Sequence, residues 1–313
     1  METFMKRLFI IGNGFDLYHG LSTGLNDFNH FMKENYRESY DFINNLIIDH
    51  NPLFNSNEWN KIEDELVCVT ELDYYHMLYE AINSSETDMD RASYWSDIQY
   101  NADYFNRDLP EFKKHFDEWI NNMNIKNYTP DKNINFKSDD MFLNFNYTNT
   151  LQLLYGINDN KILHIHGEIN SEKVFGHNVY IDEPLPMSTL TQEDFDHGIE
   201  DDWRIEEAKA ILNSIPTLFY KDSKLLIENN RSFFNSISHY SEIIFMGWAL
   251  GEQDEIYMNQ IVSNSHKATK FKVVFYSKDL TVKSKYQSFF NSYEIPENHI
   301  QFYTWEEIEK VFN

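Results

Sequence analysis

Residues 8–28, LFIIGNGFDLYHGLSTGLNDF, set four apolar residues directly against Gly12, Asn13 and Gly14. An apolar run that stops at glycine reads as a buried strand turning sharply into its next element. Glycine there tolerates positive φ and lets backbone approach a ligand closely. A helix starting in this stretch offers unpaired N–H groups to a phosphate. The alternative is a tight turn with Asp16 capping a helix. Leu17 stands where a third glycine would complete a dinucleotide fingerprint, and no acidic residue ends a second strand about twenty positions on. A standard dinucleotide oxidoreductase is therefore disfavoured.

Five further runs read as strands: MFLNFN (141–146), KILHIHG (161–167), SEIIFMG (241–247), FKVVFYS (271–277) and HIQFYT (299–304). Helical patterns separate the last three. Strands alternating with helices imply a parallel sheet covered on both faces, with ligands at the carboxyl ends of the strands. Strand order is not readable at this level. WNKIEDELVCV, YYHMLYEAI and LPEFKKHFDEWINNM carry apolar residues at helical spacing. The expected organisation is an α/β, Rossmann-like parallel sheet with a large helical insertion after the first strand. Residues 1–24 and 139–313 form the nucleotide-binding domain, with an irregular insertion at about 178–238. Residues 25–138 form the helical domain.

The chain of 313 residues carries a formal net charge of -25. That field repels phosphate backbones, and Lys267, Lys270 and Lys272 are too few for a basic groove, so general nucleic-acid binding is not expected. Cys68 is the only cysteine, which excludes an internal disulfide and a cysteine-based zinc site; it is expected to pack in a core. The first residues lack the pattern of a secretory signal, and no apolar run approaches the length of a membrane span. A cytoplasmic protein without a membrane partner is expected.

Polar residues gather where the apolar runs stop. Asn146 and Asn149 end NFNYTNT; alone, such asparagines form turns. His164 and His166, two apart in HIHG, would share a strand face. A metal would need further ligands, for which His177 is the nearby candidate, and no metal site is expected. Asp254 opens a helix after MGWALG. Glu63 stands one helical turn after Trp59, either as a solvated helix carboxylate or reaching from the helical domain toward a cleft. His19 and His164 are expected in supporting roles.

Together these segments resemble the AbiH family, bacterial proteins associated with abortive infection by phage. GNGFD, the W-x-x-x-E of WNKIEDEL, FNYTNTL, HIHG and a late G-x-x-L-x-x-x-D element occur in the family's order, over residues 8 to about 257. The order is also similar to a distant sirtuin pattern, in which a Gly-rich loop, an asparagine at a strand end and a His-Gly pair surround NAD. Asn13 departs from that pattern's alanine, and Ala249 replaces a serine that holds the cofactor. The zinc cysteines of sirtuin deacetylases are absent, which argues against peptide deacetylation.

The resemblance implies an antiphage effector that hydrolyses the nicotinamide–ribose bond of NAD, with NAD as substrate and no metal. It implies Asn146 and His166 as catalytic residues, and Asp16 is expected beside them, to support the developing positive charge or position a ribose hydroxyl. Gly12, Asn13, Gly14, Phe15, Thr148, Gly167, Gly247, Trp248, Asp254 and Glu63 would line the nucleotide. Two other readings stand beside it. One is a catalytically inactive nucleotide-binding sensor; the other is a metal-dependent nuclease or phosphoesterase built on Asp16, Glu63, His164 and His166. The expected partners are NAD or a related nucleotide, further copies of the chain, and a regulatory protein or phage trigger.

Overall fold

The computed structural model describes residues 6–67, 91–180, 217–276, 278 and 280–312, with 210 and 214. Cys68, the YYHMLYEAI stretch and most of the 178–238 segment's first half lie outside them. In chain order the elements are β1 (Arg7–Ile11), α1 (Asn13–Tyr18), α2 (Leu25–Asn35), α3 (Arg37–His50), α4 (Ile62–Glu65), α5 (Arg91–Asn121), β2 (Met141–Asn144), α6 (Thr150–Tyr155) and β3 (Ile162–His164). They continue with α7 (Ser223–Asn229), α8 (Arg231–Asn235), β4 (Glu242–Met246), α9 (Glu255–Asn264), β5 (Lys270–Phe275), α10 (Leu280–Ser292), β6 (Ile300–Thr304) and α11 (Glu309–Phe312).

The chain divides into two compact units. The first comprises Met1–Gly24, Ile120–Val174 and Asp222–Asn313; the second comprises Leu25–Trp119 and Phe175–Lys221. All six strands belong to the first unit and form one sheet in the order β3-β2-β1-β4-β5-β6. Every pairing is parallel. This is the doubly wound Rossmann order, with its switch point between β1 and β4. Side-chain alternation divides the core between the two faces. Leu8 and Ile10 join Tyr257, Ile261 and Tyr286 from α9 and α10 on one face. Phe9 and Ile11 join Phe15, Leu151 and Val311 from α1, α6 and α11 on the other. With both faces buried, the central strands read as continuous apolar runs rather than alternating ones.

The second unit is helical and is built around aromatic rings. Phe28 lies 5.2 Å from both Phe116 and Trp119, and Phe116 stacks on Phe175 at 4.0 Å. The Phe and Tyr spacing along these helices therefore builds a core.

At the amino end of β1, Arg7 forms a buried two-pronged pair with Asp140 just before β2. The β1–α1 turn closes on the turn after β4. Gly12 donates to the Met246 carbonyl (3.0 Å) and Gly14 to the Gly247 carbonyl (2.8 Å). A Cβ on Gly247 would sit 2.3 Å from the Phe15 nitrogen, and one on Gly12 would sit 2.4 Å from the Trp248 Cα. Glycine is required here because two backbones touch.

Gly156 separates that contact from backbone strain. It also has positive φ (65°), but nothing lies near the place its Cβ would take. Gly156→Ala is expected to cost about 1 kcal/mol from the left-handed conformation alone. Gly247→Ala adds overpacking and is expected to cost about 3 kcal/mol or more in urea unfolding. Equal losses would show that the close approach is unimportant.

Candidate functional site

Four strand-end segments of the first unit carry the polar residues singled out in the sequence. Asp16 lies in the first turn of α1 and is 1% exposed. Thr148, beyond β2, donates its hydroxyl to Asp16 Oδ2 and receives one from Thr150 (3.1 Å). Asp16 Oδ1 has no hydrogen-bond partner. Burial pushes the Asp16 carboxyl up to about 6, against the pull of the Thr148 hydroxyl. Asp16 thus sits beneath the 148–150 segment rather than on an open surface.

Asn146 bridges two strand ends. Its backbone N–H donates to Asn144 Oδ1 (3.0 Å), and its amide donates to the Gly12 carbonyl (3.1 Å). Asn13 is exposed, and its Oδ1 accepts from the Thr23 hydroxyl (2.6 Å).

The two histidines of HIHG do not form a same-face pair. β3 ends at His164, and the chain turns at Ile165, so His166 leaves the strand. His164 Nδ1 lies 3.1 Å from the Asn146 carbonyl, and Nε2 lies 3.1 Å from Gln152 Nε2. Asn144 Nδ2 also lies 3.4 Å from Nδ1 and Glu168 Oε2 3.7 Å from Nε2, so both ring nitrogens have polar neighbours. Burial lowers the His164 pKa. His166 instead faces α9, with Nε2 3.2 Å from the Tyr257 hydroxyl. Gly167 follows with φ 86°, where a Cβ would strike the Glu172 carbonyl at 2.1 Å.

After β4, Trp248 donates its indole N–H to Asp254 (3.0 Å), and its ring stacks on Phe145 at 4.6 Å. Leu250, buried in the same loop, holds φ 52°, a conformation bulky residues rarely adopt. His19 is held by the Phe15 carbonyl (2.7 Å) and the Tyr155 hydroxyl (2.6 Å), a supporting role.

Glu63 belongs to the second unit. Trp59 is not on its helix, because α4 begins at Ile62; the buried indole bonds Asn44 at 3.0 Å. Glu63 accepts the Gly176 N–H (3.1 Å) and lies 4.0 Å from Lys221 Nζ. It is therefore not a solvated helix carboxylate. His177, also in this unit, is fully buried, which pulls its pKa down to about 4.

Tyr257, Phe145, Thr150 and Gln152 escaped the sequence reading. Tyr257 carried one signal: it stands three residues after Asp254, the residue at which α9 begins to wind.

A family model described as "Bacteriophage abortive infection AbiH" matches residues 8–276. The chain belongs to the AbiH family. Its role is therefore in abortive-infection defence against phage. The match covers all four strand-end segments. No curated protein and no solved structure matches the chain. Among the described residues of this AbiH chain, no helix is long and apolar enough to cross a membrane. Among the same residues, no three His, Cys, Asp or Glu side chains are grouped to hold a metal ion.

Burial of Asp16 has a pH signature. Its folded pKa is raised, so its favourable contribution is complete below the unfolded pKa and is lost as pH rises through about 6. The Tm of Asp16→Asn relative to wild type should therefore climb between pH 4 and 6.5 and then level off. The full swing is about 3 kcal/mol. Thermal melts across that range check it; a constant difference would contradict burial as the cause.

Proposed function

We propose that this AbiH chain defends by hydrolysing the nicotinamide–ribose bond of NAD. The observation that carries the reading is the gathering of Asp16, Asn146, His166 and Trp248 on the carboxyl ends of β1, β2, β3 and β4. These strand ends surround the β1–β4 switch point, where doubly wound sheets bind nucleotides.

The chemistry needs little from the protein beyond placement and one base. As the bond breaks, its electron pair goes to the pyridinium nitrogen, so nicotinamide leaves neutral. The ribose carbon passes through an oxocarbenium-like state. A water oxygen bonds that carbon while His166 accepts the water's proton, giving ADP-ribose. Asn146 orients the water or a ribose hydroxyl, and Asp16 holds a ribose hydroxyl or supports the developing positive charge. Gly12, Asn13, Gly14 and Phe15 face the pyrophosphate; Thr148, Gly167, Gly247, Trp248 and Asp254 complete the pocket. Asn146, His166 and Trp248 expose 6% or less. Substrate entry therefore requires these loops to part. A chain that drains NAD is toxic when always active, so control by self-assembly, a regulatory protein or a phage component belongs to the proposal.

A binding-only sensor is favoured by one feature: Ala249 stands where the sirtuin pattern has a serine that holds the cofactor. Incubating purified protein with NAD separates the two readings. Hydrolysis predicts nicotinamide release that falls by about 10²–10⁴-fold in His166→Ala, with a marked loss in Asn146→Ala. ADP-ribose binding without any release would select the sensor.

A further inference from the structure

We propose that Tyr257 is a positioning residue for His166, its hydroxyl fixing the imidazole at Nε2 and with it the ring's orientation and tautomer. This rests on the reading of His166 as the proton acceptor.

The geometry singles out this tyrosine. Tyr257 is fully buried in α9, and His166 is 5% exposed. The hydroxyl stands 3.2 Å from Nε2, and the two rings meet edge-on at 5.6 Å. Phe145 presents edge-on contacts to both rings, at 5.4 Å to His166 and 5.2 Å to Tyr257. Phe145 is itself stacked on Trp248. The imidazole is thus flanked by two aromatic rings and held at one nitrogen by a hydroxyl. Burial raises the pKa of the Tyr257 hydroxyl, so it stays protonated and can donate to a bare Nε2 or accept from an Nε2–H.

The hydrogen bond made by one ring nitrogen decides the protonation of the other. His166 lies in the turn after β3, and Tyr257 restrains its ring from a rigid helix. The element that brings it there, α9, follows directly on Asp254, whose carboxylate is anchored by the Trp248 indole. The late motif thereby acquires a role: it seats α9 so that Tyr257 meets His166.

The test is Tyr257→Phe, which keeps the ring and removes the hydroxyl. Ring-¹⁵N-histidine NMR, with His166 assigned by its loss in His166→Gln, reads the tautomer directly. The proposal predicts a changed tautomer ratio and a shifted His166 titration in Tyr257→Phe. It also predicts that nicotinamide release, where wild type shows it, falls in kcat by up to about 10²-fold with little change in KM and a displaced pH profile. Tyr240→Phe, on the same core face, should leave both readouts unchanged. Unaltered His166 resonances and pH profile in Tyr257→Phe would overturn the proposal. Wild type that releases no nicotinamide without its activator still tests the proposal, because the NMR readout needs no turnover.

Discussion

The first unit depends on the contact between two loop backbones at the switch point. Gly12 and Gly14 lie so close to Gly247 and Trp248 that side chains on the glycines would overlap main-chain atoms. Two interstrand hydrogen bonds beyond the ends of β1 and β4 hold the contact. It sets how α1 leaves the sheet, and so where Asp16 is buried. It also presents the Gly12 carbonyl to Asn146, which ties the end of β2 to the same junction. Without that approach the four polar segments would have no common reference.

The opposite end of the sheet is secured differently. Arg7 and Asp140 form a buried, geometrically matched ion pair where β1 and β2 begin. Breaking one partner of such a pair leaves an uncompensated charge, which costs about 3–5 kcal/mol. An ion pair thus joins β1 and β2 at their amino ends, while a strained, glycine-rich junction sits at the carboxyl ends. That asymmetry suits a fold whose chemistry is carried by loops on a rigid scaffold.

The central strands were legible in the sequence because strands buried on both faces are apolar throughout, and no helical pattern competes with runs such as RLFII or EIIFM; the edge strands β3 and β6 are only partly buried and stood out as short runs beside turn residues. Their order was not legible, since it depends on which crossover lands on which side of β1, and no local residue pattern records that. The polar strand ends were visible as departures from apolar runs. Their partners were not. His164 and His166 looked like a pair because period-two spacing assumes the strand continues, whereas β3 ends after three residues. Trp59 and Glu63 looked like one helical face because the helix start at Ile62 has no strong cap signal. Asp254 stood out as a polar residue at a helix entry; Tyr257 did not, and only the fold brings its hydroxyl to a histidine 91 residues earlier.

Hydrogen–deuterium exchange with and without NAD would examine the switch-point cluster as a nucleotide site. Binding there should slow exchange together in residues 8–19, 144–150, 164–167 and 246–254, segments scattered in sequence and joined only by the fold. Unchanged exchange in all four, with NAD well above millimolar levels, would contradict a nucleotide site at the β1–β4 junction.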